Sequence, residues 1–332
     1  MNIKSLFYII FIAFLFCECS KKSDDYDYGM SITIPKIVGT PAGEFSNEEL
    51  NLCKASNAFQ IKILEQFFKQ NPNQNIALSS LYLFANLAND TLFDSYFKLL
   101  YENFNITDYS TENISQKYDS IRSIIRKIDS SLHLQSSFDT LQKQSLTISQ
   151  STDFLLLYDD AVQLQKADYD NQKEVFSLSN EFKVYESEEE TVAEVPLGNA
   201  NYSLVMIKPK GDLTAYIENF TELQYMNLID SLRTQNVNIV FPKLQFTTAN
   251  LNLTFPIFEN MTGIEDIIAL KLNCRVTGIS PTYAMLKTRE CNDDKHLTKS
   301  TITDRITFDR DFIFLLRGRY SNIILLLGVF ID

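Results

Sequence analysis

The sequence predicts an α+β fold in which N-terminal helices pack on mostly antiparallel β-sheets. Apolar residues recur at helical spacing up to about residue 150, and beyond it they gather into short runs bounded by turn residues. Helices come first and strands later, without βαβ alternation, which argues against a parallel doubly wound sheet. Hydrophobic residues make up 45% of the 332 residues and charged residues 22%, enough for a packed core and unlike a disordered or low-complexity chain. There is no Trp, so 25 Phe and 16 Tyr carry the aromatic burial.

Three segments follow one another. Residues 1–19 have one cation, Lys4, then an apolar run from Leu6 to Cys17, then Glu18-Cys19. A run of about a dozen residues is too short to span a bilayer and fits the core of a signal peptide. The polar Ser20-Lys-Lys-Ser-Asp-Asp-Tyr-Asp27 comes next. This leader resembles that of a bacterial lipoprotein. The resemblance implies a lipid on Cys19, with Cys17 as the competing acceptor and plain secretion as the alternative. Either way the protein is expected outside the cytoplasm, as a membrane-anchored lipoprotein or a secreted protein. Residues 20–45 lack periodicity and read as a tether with one extended piece, Met30-Ser-Ile-Thr-Ile-Pro35. Residues 46–332 read as one domain.

Within that domain, Ser46-Asn-Glu-Glu49 is a capping box. Leu52, Phe59, Ile63, Leu64 and Phe67 follow at helical spacing up to Asn71-Pro72. A second helix is expected from Ser79-Ser80, and helix-rich chain over 94–132. Phe154–Leu157 predicts a strand. Val192–Pro196 and Tyr202–Lys208 predict a pair of strands around Gly198-Asn-Ala200, followed by a helix from Glu222 to Leu232. Val237–Phe241 alternates, Pro242 interrupts, and Leu244-Gln-Phe246 resumes. Residues 308–317 and 322–331 are two apolar strands.

Composition narrows the chemistry. A net charge of −12 makes nucleic acid a poor partner. Two histidines, His133 and His296, cannot form a paired zinc motif, and no nucleophile motif accompanies them. Nine glycines, with no glycine-rich phosphate loop among them, argue against a nucleotide site. No cofactor, metal or catalytic residue is expected, and the chain reads as a non-enzyme and a monomer. Glu188-Glu-Glu190 reads as a solvated hairpin tip.

Four blocks, in order, resemble the serpin (serine protease inhibitor) family. Phe308-Asp-Arg-Asp-Phe-Ile-Phe-Leu-Leu-Arg317 and Ser321-Asn-Ile-Ile-Leu-Leu-Leu-Gly-Val329 resemble its C-terminal strands, with Asp311 in place of a Pro. Asn57-Ala-Phe59 through Asn75-Ile-Ala-Leu-Ser-Ser-Leu81 resembles its first helix and the start of the next. Val195-Pro-Leu-Gly198 to Tyr202–Pro209 resembles a hairpin, and Val237–Lys243 with Leu253–Ile264 a strand and turn. Thr152–Leu157 into Asp168-Tyr-Asp170 matches a central strand less closely. The chain is identified as a divergent, shortened, lipoprotein-like member; the missing length falls between 105 and 150, where a helix would cover the main sheet, and in the reactive loop.

The resemblance implies a serine protease as partner and a reactive loop that inserts into the main sheet after cleavage. Here the hinge equivalent is Asp293-Asp294-Lys295, with Lys295 at a Gly position. Lys299-Ser300 and Arg305-Ile306 are the bonds a trypsin-like protease would cut. Insertion would bury Lys299 and Arg305, or His296 and Asp304, according to strand parity. Lost or weak inhibition is therefore expected; the alternative is a non-inhibitory binding or scaffold protein at the cell surface.

Overall fold

The computed structural model of the chain describes residues 30–31, 45–79, 114–128, 132–142, 146–156, 165–166, 174–197, 201–256, 267–279 and 304–332. Strand β1 (Met30–Ser31) precedes helix α1 (Asn47–Gln70). The capping box forms as the sequence predicts: Glu49 N donates to Ser46 Oγ at 3.2 Å, and Ser46 N donates to Glu49 Oε2 at 2.7 Å. All five apolar residues read from the spacing are buried in the core. Asn71 ends the helix, its side chain donating to Phe67 O at 3.0 Å.

Strand β2 (Ile76–Leu78) follows. Helix α2 (Ile114–Ile128) packs on α1, where Tyr118 and Ser56 share a buried 2.5 Å hydrogen bond. The helix-rich expectation for 94–132 holds over 114–128, but Leu132 already opens strand β3 (Leu132–Gln142). The helix expected from Ser80 lies outside the described residues. Strand β4 (Leu146–Leu156) starts well before Phe154 and pairs antiparallel with β3. Residues 143–145 separate these strands.

The chain continues through β5 (Gln165–Lys166), β6 (Glu174–Glu186), β7 (Glu190–Leu197) and β8 (Tyr202–Pro209). The turn expected at 198–200 lies outside the described residues; Leu197 and Tyr202 flank it in register. Asp212 caps a short helix the sequence reading did not anticipate, α3 (Leu213–Asn219), accepting from Ala215 N at 2.8 Å. Helix α4 (Glu222–Ser231) stands where expected. Strand β9 (Arg233–Pro242) ends at the proline, and β10 (Leu244–Pro256) belongs to a different sheet. Pro242, with no N–H to extend a ladder, marks a crossing between sheets. Strand β11 (Ile267–Ile279) and then β12 (Asp304–Thr307), β13 (Phe312–Gly318) and β14 (Ile324–Phe330) complete the order.

The described strands form two sheets. The ten-stranded sheet runs β12-β9-β6-β7-β8-β13-β14-β2, with β1 and β5 also on β6; the four-stranded sheet runs β10-β11-β4-β3. Most neighbours are antiparallel. The exceptions are β1 on β6, β12 on β9 and β11 on β4. The fold is thus α+β, as predicted. β13 and β14 belong to its core: Phe312, Phe314, Leu315, Leu325 and Leu327 are wholly buried. Asp311, at the resemblance's Pro position, accepts from Asp332 N at 2.9 Å.

Candidate functional site

Residues 280–303, outside the described residues, connect β11 of the four-stranded sheet with β12 of the ten-stranded sheet. β12 runs parallel to β9, with Asp304 beside Val237 and Thr307 beside Val240. Arg305 is exposed, whereas Ile306 is partly buried against the core. Four contacts fix the C-terminal end of this strand. Phe308 N donates to Val240 O at 2.8 Å, and Lys208 Nζ donates to Thr307 O. The same ammonium pairs with Asp309 at 3.5 Å and stands over the Phe308 ring. The Arg305–Ile306 bond therefore sits in a paired strand. A protease that reads its substrate as an extended chain must first detach β12 from β9. Lys299, Ser300 and the hinge residues Asp293, Asp294 and Lys295 lie outside the described residues, as does Cys19.

The second component is the middle of the four-stranded sheet. Strands β4 and β11 run parallel and in continuous register over nine positions, from Leu146 beside Ile268 to Phe154 beside Val276. A new strand can enter between them only if this whole ladder opens.

The third component is a buried ion pair that the sequence reading missed. Glu194 on β7 and Arg317 on β13 are 1% and 3% exposed. Glu194 Oε1 accepts from Arg317 Nε at 3.0 Å, from Arg317 Nη2 at 2.7 Å and from Ser203 Oγ at 2.6 Å. Arg319 Nε stands 3.6 Å away. Burial pushes the Glu194 carboxyl up, but Arg317, Ser203 and Arg319 outweigh it and hold the group below its ordinary value. Arg317 Nη1 also donates to Asn322 Oδ1. Asn322 has φ of 55° and carries the turn between β13 and β14. Its carbonyl accepts from Asn57 Nδ2 at 2.8 Å and from Tyr225 OH at 3.1 Å, while Asn57 Oδ1 accepts from Ile324 N at 2.8 Å. Charged residues inside otherwise apolar strands, Glu194 in Val-Ala-Glu-Val and Arg317 after Phe-Ile-Phe-Leu-Leu, are the signal that could have revealed the pair.

At the hairpin tip, Glu190 departs from the solvated reading. It is buried and accepts from Tyr216 OH at 3.0 Å and Ser187 Oγ at 3.0 Å. Among the described residues no cluster of His, Cys, Asp and Glu could hold a metal ion. The arrangement combines an edge strand, a closed parallel seam and a locked C-terminal hairpin.

No protein-family model matches the sequence, and no curated protein matches it significantly. Solved structures do match the fold. Native protease nexin-1, crystallised with heparin, matches with a TM-score of 0.54 at 13% identity, over 86% of this chain and 100% of that one. A tumour-suppressing serpin matches at 0.59 and 11% identity, over 85% and 99%. Maspin matches at 0.58 and 10% identity, over 85% and 99%. The ordered sequence blocks, the two sheets and these likenesses agree, and the fold of this chain is the serpin fold.

Proposed function

We propose that this chain is an extracytoplasmic serpin-fold protein, held at a membrane by a lipid on Cys19, that meets serine proteases through residues 293–307 as a substrate and not as a covalent trap. The observation that carries this reading is the pairing of β12 with β9 set beside the loop's sequence. Cleavage at Lys299-Ser300 would leave only residues 296–299 beyond the hinge, against a β4–β11 seam nine positions long. Cleavage at Arg305-Ile306 would leave enough chain, but that bond is held in a strand. After cleavage at Arg305, insertion would carry Lys299 and Arg305, or Asp304, into the sheet, at a cost of several kcal/mol if unpaired.

The test is incubation with trypsin-, chymotrypsin- and elastase-like proteases, followed by denaturing electrophoresis and a melting curve of the cleaved protein. Cleavage after Lys299, no denaturation-resistant complex and no rise in melting temperature are expected. A covalent complex with any serine protease restores the inhibitor reading. Resistance to all of them favours a non-inhibitory binding or scaffold protein.

A further inference from the structure

Four residues, Phe308 to Asp311, carry the chain from β12 to β13. β13 pairs with β8, with Ile313 beside Ile207. The next residue of β8, Lys208, therefore meets the chain where it passes from one strand to the other. In the order of the sheet β8 stands four strands from β12, so this contact is separate from the ladder that holds β12 to β9. Lys208 Nζ donates to Thr307 O, lies 3.5 Å from Asp309 Oδ1 and stands 5.8 Å from the centre of the Phe308 ring. The two charged side chains are 16% and 42% exposed. Phe308 itself is wholly buried and packs edge-on against Phe312 at 5.4 Å. The C-terminal end of β12 is thus gripped by an ion pair and a ring, whereas its first residues, Asp304 and Arg305, are exposed.

We infer that Lys208 and Asp309 form an ionic latch on β12, and that this latch decides whether a protease reaches the Arg305–Ile306 bond. Its consequence for function rests on the reading of residues 293–307 as a protease substrate. With the latch closed, Arg305–Ile306 stays in its ladder and cleavage falls at Lys299–Ser300. With the latch open, β12 lifts from β9 and the cut moves to Arg305. The free end beyond the hinge then grows from residues 296–299 to residues 296–305. Lys208 acts through the strand, as a positioning residue, and sets the length of the product.

The geometry also sets the condition that opens the latch. At about 0.1 M salt the screening length is about 10 Å, well beyond the 3.5 Å separation, and the pair keeps its attraction. At about 1 M salt it is about 3 Å, shorter than the separation, and Asp309 is open to the ions that screen it. The burial of Phe308 and the packing of Ile306 against the core are not screened, so the strand loosens while the fold is kept.

The test uses the full chain, wild type and Asp309→Asn, a change at a side chain 42% exposed. A trypsin-like protease is applied at about 0.1 M and about 1 M sodium chloride, and the new N-termini at Ser300 and Ile306 are quantified by mass spectrometry. Rates are divided by the rate on a chromogenic arginine peptide in the same buffer. Cleavage at Arg305 in the wild type should rise about threefold with salt, within what one exposed ion pair supplies. Asp309→Asn should already be cut there about threefold faster at low salt and respond no further. Hydrogen exchange of amides 305–307, set against those of β13, should show the same pattern without a protease. A wild type whose amides 305–307 ignore salt, a cleaved wild type whose Arg305 rate ignores it, or an Asp309→Asn variant that keeps the wild-type response overturns the latch. A covalent complex, or resistance to every protease, defeats the substrate reading instead, and the exchange measurement then still decides the latch.

Discussion

Removing either end of the Glu194–Arg317 pair is expected to destabilise the protein, and by unequal amounts. Breaking a buried ion pair at one end costs about 3–5 kcal/mol, because the other charge remains buried. The surroundings place the two variants at opposite ends of that range. Glu194→Leu leaves the Arg317 guanidinium 3% exposed with only neutral partners, Asn322 and Tyr225, and with Arg319 close by. Arg317→Met leaves Glu194 with Ser203 and with Arg319 at 3.6 Å. The expected costs are therefore about 5 kcal/mol for Glu194→Leu and about 3 kcal/mol for Arg317→Met. The double variant should be more stable than Glu194→Leu alone, since no buried pair is left half-made. The assay is equilibrium unfolding in urea, which does not screen charges as guanidinium chloride does, with a shared slope for all four proteins. Arg317→Met costing more than Glu194→Leu, or costs that add within about 0.5 kcal/mol, would refute the reasoning.

Because Glu194 ionises below its ordinary value in the fold, its stabilising contribution is present above the unfolded carboxylate value and is lost as pH falls through the lower folded one. Glu194→Gln should therefore flatten the acid limb of a stability–pH curve below about pH 4.3; an unchanged limb counts against the pairing. Asn57→Ala strips the partner from Ile324 N and one of two donors from Asn322 O, which keeps Tyr225 OH, and should cost about 1–3 kcal/mol by urea unfolding. Gly328→Ala would place a Cβ 2.4 Å from Ile76 O, between β14 and β2, and should cost about 3 kcal/mol or prevent soluble folding, read as yield of monomer. Lys208→Met releases Thr307 O and Asp309, and should raise trypsin cleavage after Arg305 about fivefold, the equivalent of ~1 kcal/mol of strand docking, measured by peptide mass mapping.

Long or fully buried elements were the ones legible in the sequence. Helix α1 is long, capped and apolar on one face, and β7, β8, β13 and β14 are near-unbroken apolar runs whose every neighbour is core. β3, β6 and β11 escaped because polar residues such as Gln135, Asn180 and Lys271 break their local pattern, and pairing with distant strands overrides it. α3 is only seven residues long. The candidate bond Arg305-Ile306 was readable as residue types in a polar stretch, but its docking on β9 is a contact between distant segments. The partnership of Glu194 with Arg317 spans 123 residues for the same reason.

The position of β14 has a consequence for synthesis. This strand lies between β13 and β2, and its first residue, Ile324, donates to an asparagine 267 residues earlier. While the ribosome works through the intervening chain, β2 has no partner on that side and Asn57 has no turn to hold. Local pieces can form, but the central sheet closes only after residue 330 has emerged, so the contacts that lock it are among the most distant the chain makes. A product stopped a few residues short of that point would have nearly every helix and strand and still lack the one that joins the two ends. Folding of this protein thus works as a length check: it withholds cooperative stability until β14 has been made.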